Sequence, residues 1–288
     1  AQIFGPRHLS SLYGIVFFSH QIGSFLGVWL GGRIYDATGS YNPVWIGAII
    51  LGIALAVISI SEVVVRALDI PTYVFPPPSE IIKALFKSFH LFWPHLLITL
   101  QELGLGYIIG ALIGITLAAV ITQFPFVEKI VTPYILILVT TPMLALVPLL
   151  ILKFGFGQTP RVIAVALAVG PMVMINSATG FRRTDLPKIA LAKSYGASTF
   201  QIFYKIRFPL ALPMIIVGLM VGGIFGLLTA IGAEMVGGGS GLGNRLVYYS
   251  SLARMSNFFA VIILIAAIGI GLYVIFYLIG KKWANWEA

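Results

Sequence analysis

The sequence predicts an all-α integral membrane protein of about seven transmembrane helices. Three observations lead there. Of 288 residues, 59% are hydrophobic and only 9% charged, and the mean hydropathy is +1.01, a balance foreign to a polar-shelled soluble domain. The apolar residues gather into runs close to the roughly 20 residues that a helix needs to cross a bilayer. Those runs lack strand periodicity, which argues against an outer-membrane barrel.

The runs fall at 10–32, 44–65, 97–122, 131–152, 161–180, 210–233 and 259–280. The first carries no short apolar region ahead of a small-residue cleavage site and leads straight into the second, so it reads as a span and not a signal peptide. Ala1 in place of Met suggests that the chain lacks its true start. With no cysteine there is no disulfide framework and no thiolate metal site. The net charge of +9 is read as a record of which loops stay in the cytoplasm, with no nucleic-acid partner expected.

Between Gly180 and Pro209 lie Arg182, Arg183, Lys188, Lys193, Lys205 and Arg207 against the single acid Asp185, which places this loop in the cytoplasm. Lys281 and Lys282, flanked by Trp283 and Trp286 as interface anchors, place the carboxyl-terminal tail there too. The two spans between make the assignments agree. Counting back, the stretch holding Pro71, Pro76, Pro77 and Pro78 is external. Ser79 is expected to cap a short interfacial helix with Ile81, Ile82, Leu85, Phe86 and Phe89 on its apolar face.

Three spans carry glycine at four-residue spacing: Gly23, Gly27, Gly31; Gly106, Gly110, Gly114; Gly218, Gly222, Gly226. Such stripes let helix backbones approach closely, inside the bundle or at a subunit interface. Pro133, Pro142 and Pro148 interrupt 131–152, and Pro171 the next span, so these helices should bend and free backbone carbonyls beside a cavity. Thr140, Thr141, Pro142, Asn176 and Ser177 are the candidate path residues there, although each polar group could equally satisfy a local carbonyl. Glu102 and Glu234 lie near external helix ends; Glu234 either lines an external gate or orients its helix end.

Asp185, Leu186 and Pro187 look like a helix start, Gly196 can take positive φ and reverse the chain, and Ser198 or Thr199 can cap a second short helix. Phe200, Phe203 and Tyr204 then share one face, and Pro209 and Pro213 restart the span. Such a loop either lies on the headgroups or docks a soluble partner.

The segment resembles the cytoplasmic loop of permease subunits of bacterial ATP-binding-cassette (ABC) importers, patterned Glu-Ala-Ala, three residues, Gly, nine residues, Ile-x-Leu-Pro. Here Ala190, Leu191 and Ala192 stand at the triplet, followed by Gly196, Ile206, Phe208 and Pro209. Ala190 replaces the Glu and Phe208 the Leu. "VVVRALDIPTYVFPPPSEIIKAL", "TPMLALVPLLILKFGFGQ" and "GAEMVGGGSGLGNRL" resemble the nitrate, sulfonate, taurine and thiamine-precursor branch of these permeases. The resemblance covers about 59–288 and implies a type I (MetI-like) core. It also implies that Ala190, Leu191, Ala192, Gly196, Ala197, Phe200, Phe203, Tyr204, Ile206 and Pro209, within loop 181–209, dock on an ATPase subunit.

It further implies a second permease copy, a periplasmic or lipid-anchored solute-binding protein, surrounding lipid and a bacterial inner-membrane location. The chain is expected to hold no cofactor and no enzyme site: ATP belongs to the partner. Gly237–Arg245 fails the phosphate-loop pattern, since no Lys-Ser or Lys-Thr follows its last glycine, and reads as a flexible external turn. His8, His20, His90 and His95 share no metal-ligand spacing.

Residues 1–58 resemble instead the last helix pair of a major facilitator transporter, through Gly31, Gly32, Asp36, Gly39 and Tyr41. That hairpin-like pair merges into the permease's first helix at about 44–65 and is expected to be a remnant or fusion tail. Its family orientation conflicts with the permease count over 44–65. The alternatives to an importer permease are a secondary-transporter fragment and a non-transporting membrane scaffold.

Overall fold

The computed structural model describes residue 21, residues 27–183 and residues 186–283. The chain divides into two units, Ala1–Asp69 and Ile70–Ala288, so the helix at the merger belongs whole to the first. In that first unit residues 27–38 are helical (α1). Gly39, at φ 67°, turns the chain into α2, Asn42–Ala67, with Pro43 in its first turn. Tyr35 and Tyr41 stack across the turn at 4.5 Å. Of the first glycine stripe, Gly23 lies outside the described residues. A Cβ on Gly27 would meet nothing within 4 Å, so no packing partner among the described residues explains it.

The second unit contains α3 (Pro78–Lys87), α4 (Phe89–Gln123), α5 (Pro125–Thr140), α6 (Met143–Phe154), α7 (Gln158–Arg182), α8 (Leu186–Ser194), α9 (Thr199–Ile202), a π-helical turn Phe203–Arg207, α10 (Phe208–Gly237), α11 (Leu242–Ser251) and α12 (Met255–Trp283). Among the described residues of both units, five helices are long and apolar enough to span, and the α5–α6 pair, bent by 101°, could add a sixth. The expected span 131–152 is thus two helices, broken at Thr141–Pro142. Pro133 and Pro148 stay inside α5 and α6.

The glycines fix how the helices pair. Cβ atoms on Gly106, Gly110 and Gly114 would press on Val162, Ala166 and Gly170, so α4 and α7 run parallel. The α5–α6 pair must therefore carry the chain back along the bundle. Accordingly Ile135 of α5 joins the core with Phe181, while Val147 of α6 packs with Ala164 and Ala233 toward the other end. On α10, Gly218, Gly222 and Gly226 meet Asn176, Val173 and Val169, so α10 is antiparallel to α7. Two glycine stripes clamp α7 from both sides, which assigns these stripes to packing within the bundle.

Gly223 lies near Leu272 and Phe276, and Gly280 near Ile216, making α12 antiparallel to α10. The end of α12 and the 183–208 segment therefore share one end of the unit, as the charge pattern required. α3 departs from expectation: Pro77 is its N-cap and Pro78 its first residue, leaving Ser79 inside the first turn. Its apolar residues also divide, since Ile81 and Leu85 pack with Phe92 and Val261 while Phe86 stays exposed. α4 begins eight residues before the predicted 97 and runs through Pro94, held there by buried Phe92 against Tyr249.

Candidate functional site

Three places in the second unit carry polar or exposed groups that packing alone does not require. The first is the 183–208 end. Asp185 lies outside the described residues. α8 ends before Gly196, whose φ of 78° reverses the chain at no steric cost. Ser198 then caps α9 in a full capping box: its Oγ accepts from Gln201 N, and Gln201 Oε1 accepts from Ser198 N.

Helix does not stop at the prolines. Residues Thr199–Gly237 form one continuous helix of 39 residues, because the π turn lets Phe208 N–H donate to Phe203 O and widens the backbone where Pro209 lacks a donor. The expected aromatic face is divided. Phe200 and Tyr204 stack at 6.3 Å and are 76% and 65% exposed, whereas Phe203 turns inward against Phe181 at 5.1 Å. Leu191 is exposed beside Ala190 and Gly196, while Ala192, Ala197, Ile206 and Pro209 are half-buried.

The second place is the α5–α6 kink. A cavity of about 300 Å³ opens there, lined by Thr140, Thr141, Pro142, Pro171, Phe225 and Thr229 among others. At the break the threonine hydroxyls turn back: Thr140 Oγ1 donates to Leu136 O at 2.9 Å and Thr141 Oγ1 to Ile137 O at 2.7 Å. The wall is thus mainly apolar. Asn176 and Ser177 do not line this cavity. Asn176 Nδ2 donates to Met172 O at 2.8 Å, and Ser177 is buried with no hydrogen-bond partner for its hydroxyl among the described residues.

The third place is the opposite end, where Glu234 is fully buried. Thr99 Oγ1 donates to its Oε1 and Gly243 N to its Oε2, both at 2.6 Å. Beside it, Arg161 Nη1 donates to Glu102 Oε1 at 2.9 Å and to Ser240 O at 3.1 Å, while Nη2 donates to Gly238 O. Gly241 N donates to His95 Nδ1 at 3.1 Å and Leu242 N to Thr99 Oγ1 at 2.9 Å. Gly237–Arg245 is therefore an anchored turn, not a flexible one. A Cβ on Gly241, at φ 97°, would run into the Glu234 carboxyl. Sequence reasoning passed over Arg161; a lone arginine opening an apolar helix demands a buried acid at its depth, and Glu102 supplies it.

Comparison with known proteins settles the family. The family described as "Binding-protein-dependent transport system inner membrane component" matches residues 110–285. The chain belongs to this family. A probable ABC transporter permease protein of Haemophilus influenzae is 29% identical over 70% of this chain and 83% of its own. The putative aliphatic sulfonates transport permease protein SsuC of Bacillus subtilis is 31% identical over 68% and 72%. The formylaminopyrimidine transport permease protein ThiX of Halalkalibacterium halodurans is 28% identical over 75% and 86%. In structure, the MetNI methionine ABC transporter in an inward-facing conformation shares the fold, with TM-score 0.56 and 17% identity over 72% of this chain and 98% of that one.

The chain is thus a multi-pass ABC permease subunit of the inner membrane, in the sulfonate and thiamine-precursor branch. The 183–208 end, the kink cavity, Arg161 and Glu234 all fall inside the matched residues.

Proposed function

We propose that this permease carries a small anionic or heterocyclic solute inward, of the nitrate, sulfonate or taurine type or a thiamine or pyrimidine precursor. A binding protein, periplasmic or lipid-anchored, delivers the solute, and a partner ATPase supplies the energy. Two copies work together. The 181–209 loop and the carboxyl terminus face the cytoplasm, and the glycine-rich end faces outward.

The observation that carries this reading is mechanical. Exposed Phe200 and Tyr204 sit on the first turns of a helix that continues unbroken to Gly237. A partner that grips this pair moves α10 as a lever, and α10 lines the kink cavity through Phe225, Leu228 and Thr229. Gly196 hinges the docking segment, with Ala190, Leu191, Ala192 and Ala197 beside it and Ile206 and Pro209 at the lever's root. Thr140, Thr141 and Pro142 are proposed to border the solute path, with Asn176 and Ser177 supporting α7 from outside the cavity wall. Glu234 holds the external turn shut in this state.

The sulfonate and formylaminopyrimidine names of two relatives support the solute class. Residues 1–58 are read as a facilitator-like pair with no transport cycle of its own, because so few helices cannot enclose a path. The test is uptake of candidate sulfonates and pyrimidine precursors into proteoliposomes holding the chain, its ATPase and its binding protein. Uptake requires ATP inside if the reading holds; gradient-driven uptake without ATP contradicts it.

A further inference from the structure

A cavity larger than the one at the kink lies elsewhere in the second unit. About 730 Å³ opens at the end opposite the 183–208 segment, between α3, the start of α4, α11 and the start of α12. Its lining is strongly one-signed. Lys83 and Lys87 stand at i, i+4 on α3, Arg245 comes from α11 and Arg254 from the turn before α12, against one carboxylate, Glu80. Elsewhere Arg66, Arg161 and Arg182 each find an acid. Among the described residues no ion pair within 4 Å engages any of these four cations.

The donors are held in place. The Arg245 guanidinium lies 4.6 Å over the Tyr248 ring and gives one arm to Asn244 Oδ1 at 3.0 Å. Its Nε is buried without a hydrogen-bond partner among the described residues, an arrangement that costs free energy until an acceptor arrives. His95 Nδ1 accepts from Gly241 N, which leaves the ring proton on Nε2 and makes His95 a donor to the lining. Asn257, reaching Ser88 Oγ at 3.3 Å, adds a neutral amide. Four cations around one space repel one another, and a small, several-oxygened anion would relieve the repulsion while meeting these donors.

We propose that this cavity binds a single oxyanionic group, phosphate or sulfonate, at the outer end of the permease. Two sources share that chemistry. Phe86, 76% exposed, and Ile82, 48% exposed, flank the lysines on α3 and set it at headgroup depth, where an anionic lipid could insert its phosphate. A free oxyanion could enter from the water-facing mouth. The site stands apart from the ATPase-coupling reading and would survive its failure.

The test uses the full chain, with two readouts. One is the melting temperature in detergent at constant ionic strength, with inorganic phosphate or methanesulfonate replacing chloride. The other is native mass spectrometry of phosphatidylglycerol retained from mixed phosphatidylglycerol and phosphatidylethanolamine nanodiscs. The variants are Lys83→Gln/Lys87→Gln and Arg254→Gln, all at exposed positions, so the melting temperature without anion should not move. Stabilisation by the free anions alone assigns a free-oxyanion site; selective retention of phosphatidylglycerol alone assigns a headgroup site; both together mean that the site accepts either. In each case the double variant should weaken binding about fivefold. No anion effect in either readout, or an effect that both variants leave intact, overturns the proposal.

Discussion

Arg161 Nη1 stands 2.9 Å from Glu102 Oε1, with the two side chains 3% and 0% exposed. The pair ties the start of α7 to α4, and the same guanidinium holds Gly238 and Ser240 of the glycine-rich turn. Removing one partner leaves the other buried and uncompensated, at a cost of about 3–5 kcal/mol. Arg161→Met and Glu102→Gln should each lower the melting temperature strongly. Arg161→Met/Glu102→Gln should lose less than the sum of the two single losses; additive losses would show that the pair is not coupled.

The glycine stripes make a sharper packing prediction. A Cβ on Gly110 would stand 2.7 Å from Ala166 O, whereas one on Gly27 would meet nothing within 4 Å. Gly110→Val should destabilise by about 1–3 kcal/mol, and Gly27→Val should leave melting unchanged. Equal tolerance at both positions would contradict the parallel α4–α7 contact.

The glycine-rich turn is expected to resist side chains. Gly241 combines a φ of 97° with contact to the Glu234 carboxyl, so Gly241→Ala should release the turn. Amide exchange at Leu242 and Gly243 would then speed up by at least about tenfold, the equivalent of about 1.4 kcal/mol. Unchanged protection would mean that Glu234 does not hold it.

At the kink, Thr141 borders the cavity, and among the described residues its hydroxyl bonds only to Ile137 O of the preceding helix. Thr141→Trp should therefore fill the space without unfolding the bundle. Solute uptake should fall by more than about tenfold while the melting temperature holds. Normal uptake would place the path elsewhere.

What the sequence made legible was local. Gly196 and Ser198 announce a reversal and a cap through their own backbone and side-chain chemistry, and both form. Pro142 announces the break in 131–152. The glycine stripes announce close packing, though not the neighbour. The buried network was illegible because its partners are distant: Glu102 and Arg161 lie 59 positions apart, and Thr99 and Glu234 lie 135 apart. No periodicity within one helix encodes such pairs. Phe203 turns inward for a different reason: it lies about 100° around the helix from Tyr204, a face wide enough for one edge to meet Phe181 while Phe200 and Tyr204 stay exposed.

The most direct measurement of the central claim is ATP hydrolysis in proteoliposomes containing the permease, its ATPase and its binding protein, comparing wild type with Gly196→Pro and Phe200→Ala/Tyr204→Ala. Proline cannot adopt the φ of 78° at residue 196, and the exposed aromatic pair is the expected grip, worth about 2 kcal/mol or more. Both variants should keep the wild-type melting temperature within a few degrees and lose binding-protein-stimulated hydrolysis by at least about tenfold. Full stimulation in both variants would contradict the claim that this end of α10 couples the ATPase to the membrane helices.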